Sequence, residues 1–394
     1  MKSTTAVAPE VTWAQVHAFR LTRHHLTGRA KKTDLARVVG DIGGVQAQVM
    51  SAAELQVAVR VDCTVADVRK ALWTDRTLVK TWLMRGTLHL ARSDDLPLYI
   101  GAMSALWKSQ MRPSWLEYMQ TTETEFWKIV DQIGSALDGT PLTREELIAI
   151  VGKGKSQRVR QLLGSGWGGM LKPAARTGLL CFGPNRGQSV TFVRPEKWLP
   201  SWRPVDKDTA LTVMARRYLS AYGPATKTDF ARWWGAWPGV GNAAWSALKD
   251  ELMTVSVDGV TMQILERDLD SLRGARIDEP VQMLPGFDTY LMGYATRDHL
   301  VDRAFASRVS RTAGWISACV LLRGEVIATW THVLKNRTLK VTVTPFRPMP
   351  AAVTSEVKRR AHAIGCALSA EKTEVRFGYD AREAGLTTRR FASR

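Results

Sequence analysis

The chain has 394 residues, which is enough for about two to four domains, and carries 55 lysines and arginines against 37 aspartates and glutamates. The resulting charge of +18, with a pI near 10.0, argues for a polyanionic partner. No apolar run approaches the roughly 20 residues of a spanning helix, the N-terminus lacks a signal core, and the four scattered cysteines form no C-x-x-C pair, so no membrane, metal or cofactor is implied and a reducing cytoplasm is expected.

Three stretches follow one plan of helices and then a hairpin. In the first, over 11–92, Thr12 precedes "WAQVHAFRLTRHHL", whose apolar residues fall on one helical face. "TDLARVVGDIGG" reads as a second helix ending at Gly43-Gly44. "SAAELQVAVR" opens with a Ser51-x-x-Glu54 capping box, and Thr64 caps "VADVRKALW". The strands of "LVKTWLMRGTLHLAR" turn at Arg85-Gly86.

The second stretch falls within 93–200. It has a helix over "TETEFWKIVDQIGSAL", a Thr143-x-x-Glu146 capping box, a helix broken by the glycines of "GSGWGG", and a hairpin turning at "PNRG". The third, over 208–268, has helices over "DTALTVMARRYLSAYG", "PATKTDFARWWG" and "GNAAWSALKDELM", then a hairpin turning at Asp258-Gly259. Helices followed by a β wing are the winged helix plan. From 280 to 394 the pattern changes to strands and one helix, "PAAVTSEVKRRAHAIGCAL", with a basic tail. The expected class is α+β: three tandem winged helix modules and then a small C-terminal β-barrel.

Two glutamines, Gln46 and Gln48, fall between the Gly43-Gly44 stop and the next helix. On a helix, positions two apart face opposite ways; in extended chain they face the same way. An extended segment would bury Val45, Ala47 and Val49 and bring both carboxamides together, presenting two carbonyl acceptors and two NH₂ donors.

The stretches "GVQAQVMSAAELQVAVR", "RTLVKTWLMRGTLHL", "FDTYLMGYATRDHLV" and "GWISACVLLRGEVIATW" resemble the AlkZ-like winged helix DNA glycosylases. The likeness runs over about residues 11–380, and the family's Gln-x-Gln signature corresponds to Gln46-Ala47-Gln48. It implies three winged helix modules and a barrel wrapped into a C-shaped DNA channel. It also implies hydrolysis of the N-glycosidic bond of N7- or N3-alkylated purines, with Gln46 and Gln48 as the catalytic pair. The partner would be duplex DNA carrying bulky alkyl adducts or crosslinks, met by a monomer, with resistance to an alkylating antibiotic as the role.

His89, after Gly86-Thr87-Leu88, is a supporting candidate. Lys80 and Arg85 in the first hairpin, Arg308 and Arg311 in "SRVSRTAGW", and Lys335, Arg337 and Lys340 in "KNRTLK" are candidate DNA contacts. The tryptophans of "WWGAW" read as core. A non-catalytic winged helix regulator is the rival reading. A nuclease would want a carboxylate cluster for metal, and Asp34, Asp41, Glu54 and Asp62 suggest capping or surface roles instead.

Overall fold

A computed structural model describes residues 8–107 and 113–378; the tail expected after Tyr379 lies outside them. The fold is mixed α+β. Strand β1 (Glu10–Val11) leads into α1 (Trp13–Arg23), capped by Thr12 in a box with Gln15. Helix α2 (Leu35–Asp41), β2 (Val45–Gln46), α3 (Met50–Ala58) and α4 (Val65–Trp73) precede the hairpin β3 (Leu78–Trp82) and β4 (Leu88–Arg92). The box at Thr64 forms with Asp67, a cap that contributes about 1 kcal/mol. The expected Ser51–Glu54 box does not form. Helix α3 begins one residue before Ser51, and Glu54 is buried in a forked pair with Arg69 at 2.7 and 3.0 Å. A bidentate guanidinium is the stronger partner for a buried carboxylate than one backbone N–H.

Next come α5 (Leu96–Trp107), α6 (Pro113–Met119), α7 (Glu123–Ala136), β5 (Leu142–Thr143), α8 (Arg144–Val151), α9 (Gln157–Gly164) and α10 (Leu171–Arg176). The Thr143–Glu146 box is present, and the glycines after Gly164 separate α9 from α10 as the sequence suggests. Strands β6 (Cys181–Arg186) and β7 (Ser189–Val193) turn at Gly187-Gln188, two residues later than expected, with Gly187 supplying the positive φ. After α11 (Pro195–Trp198), the chain forms α12 (Lys207–Tyr222), α13 (Lys227–Trp234) and α14 (Pro238–Ala247), then the hairpin β8 (Leu252–Val257) and β9 (Val260–Leu265). Asp258 and Gly259 both take positive φ there, the two-residue turn read from the sequence.

The three helical groups each carry a three-stranded sheet, in the orders β2-β4-β3, β5-β7-β6 and β1-β8-β9. Strand β1 pairs in parallel with β8, and Val16 and Phe19 of α1 share a core with Val255, Val257 and Ile264. The chain's first strand and helix therefore attach to the third sheet rather than to the first.

The final region contains α15 (Leu269–Gly274), β10 (Val281–Leu284), α16 (Thr289–Met292), α17 (Ala306–Val309), β11 (Cys319–Leu322), β12 (Glu325–Lys335), β13 (Thr338–Pro345), α18 (Ala351–Ala367) and β14 (Lys372–Phe377). The barrel expected here is an open sheet of order β10-β11-β12-β13-β14, and no rung joins its edge strands. Strand β14 runs parallel to β13, so the chain must cross over, and α18 is that crossover. Val357, Ala361 and Ile364 cover one face, so burial is achieved without closure.

The largest core joins the first hairpin, the third helical group and the final sheet around Trp233, Trp234, Tyr218, Tyr222 and Tyr290. Trp233 and Trp234 are core, as read, whereas Trp237 is partly exposed. The second group keeps its own core around Phe126, Ile133, Leu163, Phe182 and Phe192, to which the first sheet lends Trp82. Cys63, Cys181 and Cys319 are buried, whereas Cys366 is exposed. Among the described residues no helix is long and apolar enough to cross a membrane.

Candidate active site

Strand β2 is short because Gly43 and Gly44, both at positive φ, swing the chain out of α2 and straight onto β4. Gln46 pairs with His89 across the ladder, and His89 pairs with Thr81. Directly opposed residues in an antiparallel sheet share a face, so the Gln46, His89 and Thr81 side chains lie in one row, on the face opposite Val45 and Leu90. Ala47 N–H donates to the Leu88 carbonyl at 2.7 Å, after which the backbone bends away. The Leu88 N–H is met by Gln48 Oε1 at 3.5 Å, a long and weak bond. The two carboxamides thus bracket one short segment, Leu88-His89.

Their environments differ. Gln48 is exposed, whereas Gln46 is 6% exposed and its Oε1 is buried with no protein partner. The sequence led us to expect both carboxamides projecting together from extended chain, and the bend at Gln48 gives them different exposure. Behind them lies a residue that pattern reading missed. Gln56 is fully buried, and its Nε2 donates to the carbonyls of Gln46 at 3.3 Å and Gly286 at 3.4 Å. Its only sequence signal was a polar side chain on the apolar face of an alanine-rich helix. One turn on, Arg60 donates to the Gln56 carbonyl at 2.8 Å and forks onto Asp288 at 2.9 and 2.7 Å, both side chains fully buried. This network joins α3 to the loop before α16.

His89 Nδ1 donates to the Thr87 carbonyl at 2.9 Å, which leaves Nε2 as an acceptor. Burial, with the Arg85 charge second, drops its pKa to about 3, so the ring is neutral at physiological pH.

A cleft of about 450 Å³ adjoins Gln48. Val49, Ser51, Phe287, Arg308, Arg311 and His332 are among its lining residues. Arg308 and Arg311, drawn from "SRVSRTAGW", thus line the cleft that begins at Val49, one residue after Gln48; neither glutamine is among its lining residues. Lys335, Arg337 and Lys340 are exposed at the far end of the β12–β13 hairpin, whose mid-strand residues Thr331 and His332 line the same cleft. Asn336 and Arg337 both take positive φ in its two-residue turn, and Arg337 pairs with Glu371 at 2.6 Å. Val333, 63% exposed, and Leu334 lie just below the tip.

Lys80 and Arg85 go elsewhere. Lys80 lies on the opposite sheet face from Gln46, with Nζ 5.2 Å from the centre of the Phe182 ring, and burial lowers its pKa. Arg85 donates to the Trp233 carbonyl, and its backbone sits against Gly235. The first hairpin's tip is thus packed into the protein. Asp34, Asp41, Glu54 and Asp62 all sit in ion pairs with basic side chains, and among the described residues no cluster of potential metal ligands occurs.

A sequence model of the family described as "DNA glycosylase AlkZ-like" matches residues 39–367. A Streptomyces sahachiroi protein named as an interstrand DNA cross-link repair glycosylase is 35% identical over 378 residues, covering 93% of this chain and 99% of that one. The solved structure of the S. sahachiroi DNA glycosylase AlkZ superposes with a TM-score of 0.85 at 33% identity, covering 94% of this chain and all of the other. The family match and the shared fold agree: the chain belongs to the AlkZ-like DNA glycosylases, hydrolases of N-glycosyl bonds.

Proposed function

We propose that this chain excises bulky N7-alkylguanine and N3-alkyladenine lesions from duplex DNA, unhooks interstrand crosslinks of that chemistry, and thereby gives resistance to an alkylating antibiotic. The observation that carries the reading is Gln46-Ala47-Gln48 beside an arginine-lined cleft, with no unpaired carboxylate among the acids that neighbour it in sequence. Alkylation at N7 or N3 leaves the base cationic, so the leaving group needs no strong acid. As the bond breaks, positive charge grows on the sugar. Carboxamide oxygens offer partial negative charge and can orient a water without the phosphate repulsion a carboxylate would meet. Gln46 Oε1, buried and without a bond within the protein, is the acceptor free for that water. Gln48, on the exposed side, holds the other end. His89 supports the segment as a neutral ring bonded to Thr87. No lysine takes part as a Schiff-base nucleophile, so the product is an abasic site.

In this reading the three helix-plus-sheet groups act as winged helix modules, over 11–92 with α1 lent to the third sheet, 93–200 and 208–268, and the region from 280 onward completes a C-shaped channel. The protein acts as a monomer without a cofactor. Arg308 and Arg311 hold phosphates at the cleft, and the β12–β13 hairpin carries Lys335, Arg337 and Lys340 to the duplex. Phosphate contacts supply affinity without base identity, which suits a bulky lesion that cannot enter a snug pocket.

The test is a duplex with a labelled N7-alkylguanine, incubated without metal or nucleotide and then heated in alkali. We expect strand breaks at the lesion, above spontaneous depurination, that fall about a hundredfold in single-turnover rate for Gln46→Ala or Gln48→Ala. Binding without breaks would instead describe a regulator.

A further inference from the structure

The second helical group holds a surface that the glutamine site does not use. Between Glu146 and Glu196 the chain contains no aspartate or glutamate, while Lys153, Lys155, Arg158 and Arg160 crowd around the α8–α9 turn. Helix α9 buries Val159, Leu162 and Leu163. Its exposed face carries Gln157, Arg160, Gln161 and Gly164, at i, i+3, i+4 and i+7, a single stripe. Arg158 Nε donates to the Tyr118 carbonyl at 3.1 Å and Arg160 Nη1 to the Lys155 carbonyl at 2.7 Å. Neutral carbonyls steady these guanidiniums without cancelling their charge.

Trp167 follows this stripe directly. It is 79% exposed, yet its loop is anchored. Arg144 Nη1 donates to the Ser165 carbonyl at 2.9 Å, and Trp167 N–H donates to Ser165 Oγ at 3.3 Å. Gly168, at φ +81°, lies so close to the Trp82 ring that an added Cβ would come within 2.8 Å of it. Trp82 is the cross-strand partner of Leu88, whose N–H meets Gln48. Trp82 shares the sheet face of Lys80, opposite Gln46, so the exposed indole belongs to the side of the first sheet turned away from the candidate catalytic pair. A large ring held in solvent on an anchored loop amid cations has the composition of an aromatic contact with phosphate holders.

We propose that the second group has its own DNA-contact surface, remote from the glutamine pair, in which Arg160 and Lys153 hold phosphates and Trp167 makes the aromatic contact. This rests on the DNA-acting reading above and extends it to a second region. Exposure makes the variants safe for folding. Trp167→Ala should weaken affinity for lesion duplex by roughly five- to a hundredfold and slow single-turnover excision at subsaturating protein. Trp167→Phe should restore most of both, and Trp237→Ala, at a partly exposed tryptophan outside this surface, should change neither. Arg160→Ala combined with Lys153→Ala should weaken binding to damaged and undamaged duplex alike and lower the log–log salt slope by about 2. If the wild-type chain excises normally and Trp167→Ala does so equally well with equal affinity, this inference fails alone. If the wild type does not excise, the proposed function fails first. A change in oligomeric state on removing the ring, with DNA affinity intact, would assign Trp167 to self-association and also overturn the proposal.

Discussion

A buried carbonyl oxygen without a partner, such as Gln46 Oε1, costs a protein about 1–3 kcal/mol. Such a cost persists when the atom has work to do on a bound molecule. Gln46→Leu, close in volume and without the amide, should therefore raise stability by about 1 kcal/mol while removing excision. Denaturant midpoints and single-turnover rates measured on the same preparation check both halves; lost activity with lost stability would point to a structural role. His89 is neutral down to about pH 3, so it adds no titration to the rate near neutrality. The Gln46–Gln48 pair was legible because the residue types and the break between two helices are local features. Its asymmetry was not, because Gln46 is covered by side chains distant in sequence.

Caps and turns were legible wherever the signal is a short string. The cap at Thr64, the box at Thr143 and the Asp258-Gly259 turn form as read. Ser51–Glu54 failed because a guanidinium fifteen residues away claimed the carboxylate. Arg85 looked like a wing-tip cation, but Trp233, far along the chain, takes its guanidinium. The same long-range logic makes the link between α3 and α16 vulnerable. Asp288 accepts both arms of Arg60 and also the Tyr290 N–H at 2.9 Å, at zero exposure. Asp288→Ala should cost about 3–5 kcal/mol, since a buried guanidinium loses its counter-charge. Replacing both partners by apolar residues should cost much less. Chemical denaturation of the single and double variants measures the difference.

Across the entire fold, buried histidines set the response to acid. Burial is the first cause at His17, lowered to about 4, at His89, lowered to about 3, and at His24, well below its ordinary value. In the unfolded chain each titrates near 6.5. Between that value and about pH 4 the unfolded state binds more protons, so stability is full above pH 6.5 and drains as pH falls. The slope is on the order of 1 kcal/mol per histidine per pH unit. Melting temperature should drop steeply from pH 7 to pH 4.5, and His17→Asn should flatten the fall; a flat profile in the wild type would contradict the burial. The β-barrel was misjudged because strand content is visible in a sequence but closure is not. Nothing local announces that α18 will cover the sheet.

The separate core around Phe126, Ile133, Leu163 and Phe192 has a mechanical corollary. Cooperative units of a protein tend to follow its apolar clusters, so this arm can melt on its own while the remainder stays intact. Amides there should exchange with deuterium sooner than those beside Trp233 and Tyr222, so that under the proposed function one side of the grip on DNA is softer than the other.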